Sequence, residues 1–281
     1  MYGSGSHAGH STMALRFDGE LYIVESQAAW YWPKTGIQRT KWEDWIKYAE
    51  DASFHVTWMP LRDDIRAKFD SKKAMDFFLE TEGLPYGFHN FLFGWIDTTR
   101  NNLPGLLPNE GMPILFSVLE HILPQTIKIF FTEALNFRLG TKDLNIPQLA
   151  AAAAQKGLSI QDVMAMPEQD GWQYYGEEPR DGLSYVCSAY VAALYKAAGL
   201  FGDFEVNATE FTPRDVYELD FFNTTMERPQ QCIDADPNLP FCQLLGNYRM
   251  TYPTWSTIQP YEFMNENCAS VWPDYIREDG C

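Results

Sequence analysis

Two short segments near the N-terminus alternate apolar and polar residues on either side of a tight-turn signal. The segments are residues 11–17 (STMALRF) and 20–26 (ELYIVES), and Asp18-Gly19 lies between them. An Asp-Gly pair between alternating segments is typical of a two-residue β-turn. The pattern therefore predicts a β-hairpin whose register is fixed by the turn.

This register separates an apolar face from a polar face. The apolar face, which should meet the core, comprises Met13, Leu15, Phe17, Tyr22 and Val24. On the opposite face, His10 lies directly across from Gln27 and diagonal to Glu25, within reach of long side chains. A histidine oriented by a carboxylate is the usual arrangement of a general base. The alternative is an exposed histidine beside an ordinary surface glutamate.

Apolar periodicity predicts further elements along the chain. Helical spacing marks residues 42–49, 63–82 (ended by Gly83) and 187–198 (ended by Gly199), residues 54–58 alternate as a strand, and Thr212-Pro213 is typical of a helix start. Residues 101–179 predict helices separated by Pro and Gly, and the chain after Phe222 predicts loops. We therefore expect an α+β domain over residues 1–222, with a helical insertion at about 101–179, and a Cys-rich extension over 223–281 packed on it.

Charge and motif content exclude several partners. The formal net charge is −17, which repels phosphate backbones and argues against nucleic-acid binding. The most apolar stretch, residues 112–131, contains Glu120, His121, Lys128 and two prolines, so it predicts a kinked, buried helix pair and no membrane span. No phosphate-binding glycine loop or metal-ligand spacing is present, so no cofactor and no metal are expected.

Four of the five cysteines lie in the last fifty residues, namely Cys232, Cys242, Cys268 and Cys281. An even number favours two disulfides with three possible pairings, while free thiols and zinc are the alternatives. Two glycosylation sequons, at Asn207 and Asn223, agree with a secreted chain but occur at about the frequency of chance. Together these features favour an extracellular or lysosomal/vacuolar location, although the chain starts without a signal peptide.

The fifth cysteine, Cys187, lies where a predicted helix begins. Unpaired amides and the helix dipole at such a position stabilise a thiolate. Small residues behind it, from Ser188 to Ala193, allow close packing of this helix against a sheet. A buried structural cysteine on a small-residue helix is the alternative interpretation.

Taken together, these segments resemble the NlpC-type branch of papain-like cysteine hydrolases. There the nucleophile opens a helix of the form Cys-Ser-x-x-Val-x-x-x-Tyr-x-x-x-Gly, which residues 187–199 match. His10, in His-x-x-x-Ala-Leu, resembles the histidine strand of that family. Because the histidine precedes the cysteine, the order resembles the circularly permuted subgroup, the YiiX-like and lecithin-retinol-acyltransferase-like proteins. Residues 83–88 and 210–215 also look like segments of that subgroup.

The resemblance implies a permuted papain-like fold, with an antiparallel sheet packed on the nucleophile helix. It implies Cys187 as nucleophile, His10 as base and Glu25 as the third, polar member. The backbone N–H of Cys187 should stabilise the oxyanion. Further oxyanion or cleft candidates are Tyr185, Gln27 and His89.

Three features depart from the family pattern. Only nine residues precede His10, where the family has a leading strand, so we expect an N-terminally truncated or mis-started chain. His7, in Ser-His-Ala, is a rival base, but it lies deeper in a Gly/Ser-rich entry, so we prefer His10. The helical middle and the Cys-rich tail match nothing in the family, and these regions should set substrate choice.

The expected function is therefore cleavage of an amide or ester bond by a cysteine hydrolase of the peptidase or amidase type, without a cofactor, through a thioacyl intermediate. Peptide, amide or lipid-ester substrates are the expected partners. The alternatives are a lipid acyltransferase or thioesterase-like enzyme and a catalytically inactive domain that binds a peptide or glycan.

Overall fold

The computed structural model of the chain describes residues 6–28, 34–91, 111–164, 166, 170–171, 173–174 and 182–261. The fold is α+β, with a small antiparallel sheet and many helices. The strands are β1 (Met13–Phe17), β2 (Glu20–Gln27), β3 (Gly36–Lys41), β4 (Val56–Trp58), β5 (Gln173–Tyr174), β6 (Gly182–Leu183) and β7 (Cys242–Leu245). The helices are α1 (Trp42–Asp51), α2 (Asp63–Lys68), α3 (Ser71–Thr81), α4 (Phe88–Phe91), α5 (Gly111–Ile122), α6 (Pro124–Ile127), α7 (Glu133–Leu139), α8 (Ile146–Gln155), α9 (Ile160–Met164), α10 (Cys187–Ala197), α11 (Pro213–Glu218) and α12 (Gln230–Ala235).

The predicted hairpin is present with the predicted register. Strands β1 and β2 pair antiparallel around Asp18-Gly19, with Phe17 opposite Glu20 and Met13 opposite Val24. Strand β3 adds on the other side of β2 and completes a three-stranded sheet. The ladder between β1 and β2 ends at Met13, so His10 lies beyond it rather than in a strand.

Each face of this sheet packs against a different helix. The predicted apolar face meets the main core, where Met13, Phe17 and Val24 join residues of α10. On the opposite face, Ile23 packs with Trp45 and Ala49 of α1. The sheet therefore separates the helix that begins at Cys187 from α1.

The single helix predicted over residues 63–82 is wrong, because α2 and α3 are separate helices. Asp70 ends the continuity because its side chain accepts a hydrogen bond from the backbone N–H of Lys73 at 3.1 Å. The backbone N–H of Asp70 meanwhile donates to the Ala198 carbonyl at 3.0 Å. A side-chain cap combined with this tertiary contact outweighs the helical periodicity.

The described helices α5 to α9 form a helical region with its own small core. Leu135, Leu149 and Val163 are among its fully buried members. Pro124 begins α6 and accounts for the predicted kink, and the predicted burial holds for Ile127 and Phe131 but not for the outward side of α5. The outward side chains of α5 and its end are exposed, namely Ile114, Leu115, Val118, Ile122 and Leu123. A short strand pair, β5 with β6, follows these helices, and β5 lies within the range 101–179 for which only helices were predicted.

No helix among the described residues is long and apolar enough to cross a membrane.

In the C-terminal region, Cys232 and Cys242 form a disulfide, which confirms disulfide bonding for one pair of the four tail cysteines. Cys268 and Cys281 lie outside the described residues. Strand β7 begins at Cys242 and pairs antiparallel with β4, so the extension contributes a strand to a two-stranded sheet.

Candidate active site

Cys187 is the first residue of α10, directly after Val186, whose extended backbone begins the helix. Its side chain is free and buried, with 5% of the residue exposed. Both the predicted helix start and the predicted helix end at Gly199 are present, the latter with a positive φ of 82°. The helix N-terminus therefore directs unpaired backbone amides toward the sulfur.

Three hydrogen-bond donors converge on the Cys187 sulfur. Burial acts to raise the pKa of the Cys187 thiol, but attraction to His10 and a hydrogen bond from its ring outweigh burial. The backbone N–H groups of Ser11 and Ser188 add to this effect, so the net pKa is lowered. A thiolate is therefore favoured at Cys187.

His10 lies between Cys187 and a buried carboxylate. Its Nε2 lies 2.8 Å from Glu25 Oε2, and its ring also hydrogen-bonds the side chain of Cys187. Burial lowers the pKa of His10, but the charge of Cys187 and the hydrogen bonds to Cys187 and Glu25 outweigh burial and raise it to about 10. The arrangement favours an imidazolium between two anionic partners.

Both carboxylate oxygens of Glu25 are engaged. Oε2 binds His10, and Oε1 accepts a hydrogen bond from the indole Nε1 of Trp45 at 3.1 Å. Glu25 itself has no exposed surface. A buried carboxylate needs such donors, because an unsatisfied charge in the interior is costly.

Two hydrogen bonds to the Tyr185 carbonyl hold the turn before α10. Ser26, on the core face of β2, donates from its hydroxyl to the Tyr185 carbonyl at 2.8 Å. The backbone N–H of Gly87 donates to the same carbonyl at 3.0 Å, and Tyr86 pairs with Tyr185 in a parallel bridge. The turn that presents Cys187 is thus fixed from two sides.

The other predicted site residues are distributed around this centre. His7 is exposed, and its Nδ1 lies 3.1 Å from Thr251 Oγ1, so the structure brings His10 rather than His7 to Cys187. Gln27 is buried on β2, on the same face as Glu25 and two residues further along. Tyr185 is buried, with its ring against those of Phe77 and Tyr190. His89 lies in α4, and its side chain is outside the described part.

Comparison with protein-family models, with curated proteins and with solved structures finds no match to this chain.

The geometry by itself supports nucleophilic chemistry. A thiolate paired with an imidazolium is an activated nucleophile, and the buried carboxylate fixes the tautomer and orientation of the imidazole. Within the described ranges, no group of three or more His, Cys, Asp or Glu side chains could hold a metal ion.

Two contributors to this site were not found by sequence reasoning. The first is Trp45, which the sequence places only on the helix predicted over residues 42–49, yet its indole N–H reaches Glu25. The available signal was general, since a buried tryptophan N–H usually finds an acceptor. The second is Gly87, where a glycine is required because a Cβ atom would collide with the backbone of Tyr185 and Val186, almost one hundred positions away in the sequence.

Proposed function

We propose that this protein is a cysteine-dependent hydrolase that cleaves an amide or ester bond through a thioacyl intermediate, with a permuted papain-like arrangement of base and nucleophile. The observation that carries the proposal is the continuous Cys187–His10–Glu25 chain, assembled from a helix N-terminus and a hairpin. A purely structural cysteine requires neither an imidazole partner nor a buried carboxylate behind that imidazole.

The reaction follows from the roles of these groups. The Cys187 thiolate forms a bond to the carbonyl carbon, and the carbonyl electron pair moves to oxygen, where the Cys187 backbone N–H can stabilise it. His10 gives its proton to the leaving nitrogen or oxygen as the carbon–heteroatom bond breaks. Water then attacks the thioester, His10 takes the proton of that water, and the sulfur–carbon bond breaks to restore the thiolate.

A lipid-ester substrate is a second candidate, and a specific surface feature favours it. The exposed apolar side chains of α5 lie on the same helical region as Phe130, whose ring contacts Phe88 and Phe91 of α4. Phe88 in turn contacts Tyr86, which pairs with Tyr185 two residues before the nucleophile. The exposed apolar side chains of α5 offer a surface for an acyl chain, and the aromatic contacts join this helical region to the turn before Cys187.

A panel of electrophilic probes tests the proposal. Peptide, peptidoglycan-like and lipid-ester electrophiles are incubated with the intact protein, and adducts are located by peptide mass mapping. We expect adducts on Cys187 that Cys187→Ser and His10→Ala both abolish or slow strongly. The probe class that reacts fastest identifies the substrate class. Reaction at the rate of an ordinary thiol, unchanged by His10→Ala, would contradict hydrolysis and leave the binding-domain interpretation.

The compartment is proposed from the disulfide. Cys232–Cys242 favours a secretory, extracellular or lysosomal/vacuolar location, where such bonds persist.

A further inference from the structure

Glu25 has no contact with solvent, so its orientation depends entirely on protein donors. One oxygen binds His10 at 2.8 Å and the other binds Trp45 Nε1 at 3.1 Å. A carboxylate held at only one oxygen can turn about its last side-chain torsion, whereas donors at both oxygens fix its plane. The second donor is therefore what determines the direction in which Oε2 faces His10.

Trp45 is itself held rigidly. It lies on α1, with 4% of its surface exposed, and it packs against Ile23 and Ala49. The neighbouring indole of Trp42 stacks on it, with ring centroids 6.1 Å apart. Because Ile23 and Glu25 lie on the same face of β2, the helix that buries Ile23 also carries the indole N–H to Glu25.

We propose that Trp45 is a positioning residue, which fixes the Glu25 carboxylate and thereby keeps the His10 imidazolium aligned with the Cys187 thiolate. The inference rests on the proposed function for its catalytic meaning. It assigns α1 a part in the site, although α1 packs on the face of the sheet opposite to the nucleophile helix.

The indole N–H of Trp45 should therefore affect the ionisation of the Cys187 thiol. When the indole N–H is lost, Oε1 faces carbon atoms, and the carboxylate turns so that both of its oxygens share the donor that remains, His10. The hydrogen bond to His10 then lengthens or bends, and the imidazolium is less well stabilised. Since the imidazolium in turn stabilises the thiolate, the pKa of Cys187 should rise.

The test measures the rate of Cys187 alkylation by iodoacetamide against pH in the full chain. Trp45→Phe keeps an aromatic ring and removes the N–H, while Trp42→Phe is the matched control, because Trp42 stacks beside Trp45 and shows no bond to Glu25 among the described contacts. We expect Trp45→Phe to move the midpoint upward by about half a pH unit, which is ~3-fold slower labelling on the acid side. Trp42→Phe should leave the midpoint in place.

A stability effect alone would not move this midpoint, so thermal unfolding of both variants is recorded in parallel. If Trp45→Phe does not fold, replacement of Trp45 by its benzothiophene analogue, in which sulfur stands for N–H, removes the donor at constant shape. An unchanged or lower midpoint in the folded variant overturns the positioning role. An ordinary thiol midpoint in the unmodified protein would instead overturn the proposed function, so the two failures are distinguishable.

Discussion

The Ser26 hydroxyl donates a 2.8 Å hydrogen bond to the Tyr185 carbonyl, although the two residues are 159 positions apart. Ser26 follows Glu25 directly on β2, and Tyr185 lies two residues before Cys187. The bond therefore ties the strand that carries the acidic group to the turn that presents the sulfur. The backbone N–H of Gly87 donates to the same carbonyl, so two hydrogen bonds hold the turn that precedes Cys187.

Gly87→Ala should disrupt the contact between Gly87 and the turn that precedes Cys187. A Cβ atom at position 87 would lie 2.5 Å from the Tyr185 carbonyl carbon and 2.8 Å from the Val186 nitrogen, so the backbone before Cys187 must shift. We expect a loss of unfolding free energy of about 1–3 kcal/mol and slower Cys187 alkylation. Urea unfolding and labelling rates measure the two effects. Gly171→Ala is the control, because a Cβ there meets no described atom within 4 Å, and it should be neutral.

Labelling of Cys187 and hydrolysis should each depend on pH, at opposite ends of the range. Because the pKa of Cys187 is lowered, labelling should begin below the pH at which an ordinary thiol, with a pKa of about 8.5, reacts. Because the pKa of His10 is raised to about 10, the imidazolium persists through neutral pH, and hydrolysis should fall as the pH rises toward that value. The measurements are iodoacetamide labelling and hydrolysis of the best substrate between pH 4 and about 11.

Removal of the imidazole should abolish this behaviour. His10→Ala should return the labelling midpoint of Cys187 toward that of a free thiol, while His7→Ala, which alters an exposed histidine bonded to Thr251, should leave it unchanged. If His7→Ala shifted the midpoint and His10→Ala did not, the base would be His7. Circular dichroism on both variants checks that the fold persists.

Thiol counting without reduction tests the cysteine assignments. After unfolding in a thiol-blocking reagent, we expect one labelled cysteine, Cys187, with Cys232 and Cys242 joined and Cys268 joined to Cys281. Removal of the first pair by Cys232→Ala with Cys242→Ala should lower the unfolding free energy by about 2–4 kcal/mol. Three labels would refute the second pair, and five would refute an oxidising compartment.

The two glycosylation sequons should behave differently. At Asn223, the described contacts include no acceptor for the side-chain nitrogen, and Thr225 is exposed with its hydroxyl 3.3 Å from Asn223 Oδ1. At Asn207, the sequon threonine, Thr209, is 1% exposed and its hydroxyl donates to Asp170. After expression through a secretory pathway, enzymatic deglycosylation should release one glycan. Asn223→Gln should abolish it, and Asn207→Gln should not.

Local sequence signals determined much of this protein. The alternation around Asp18-Gly19 predicted the hairpin and its register, because a two-residue turn allows one pairing. Gly199 ends α10 as predicted, and Thr212 caps α11 in a capping box with Asp215. Pairing residues outward from the Asp18-Gly19 turn also predicted that His10 lies near Glu25, because both residues are close to that turn in the sequence.

Only the tertiary structure decided the rest. The break between α2 and α3 depends on a bond from Asp70 to Ala198, and the turn before Cys187 is held by hydrogen bonds from Ser26 and Gly87 to Tyr185. The contact of Trp45 with Glu25 depends on how α1 packs across the sheet. Periodicity and turn chemistry act over a few residues, so they fix elements and nearby pairs. Contacts between distant segments are selected by the packing of whole faces, which no short stretch of sequence encodes.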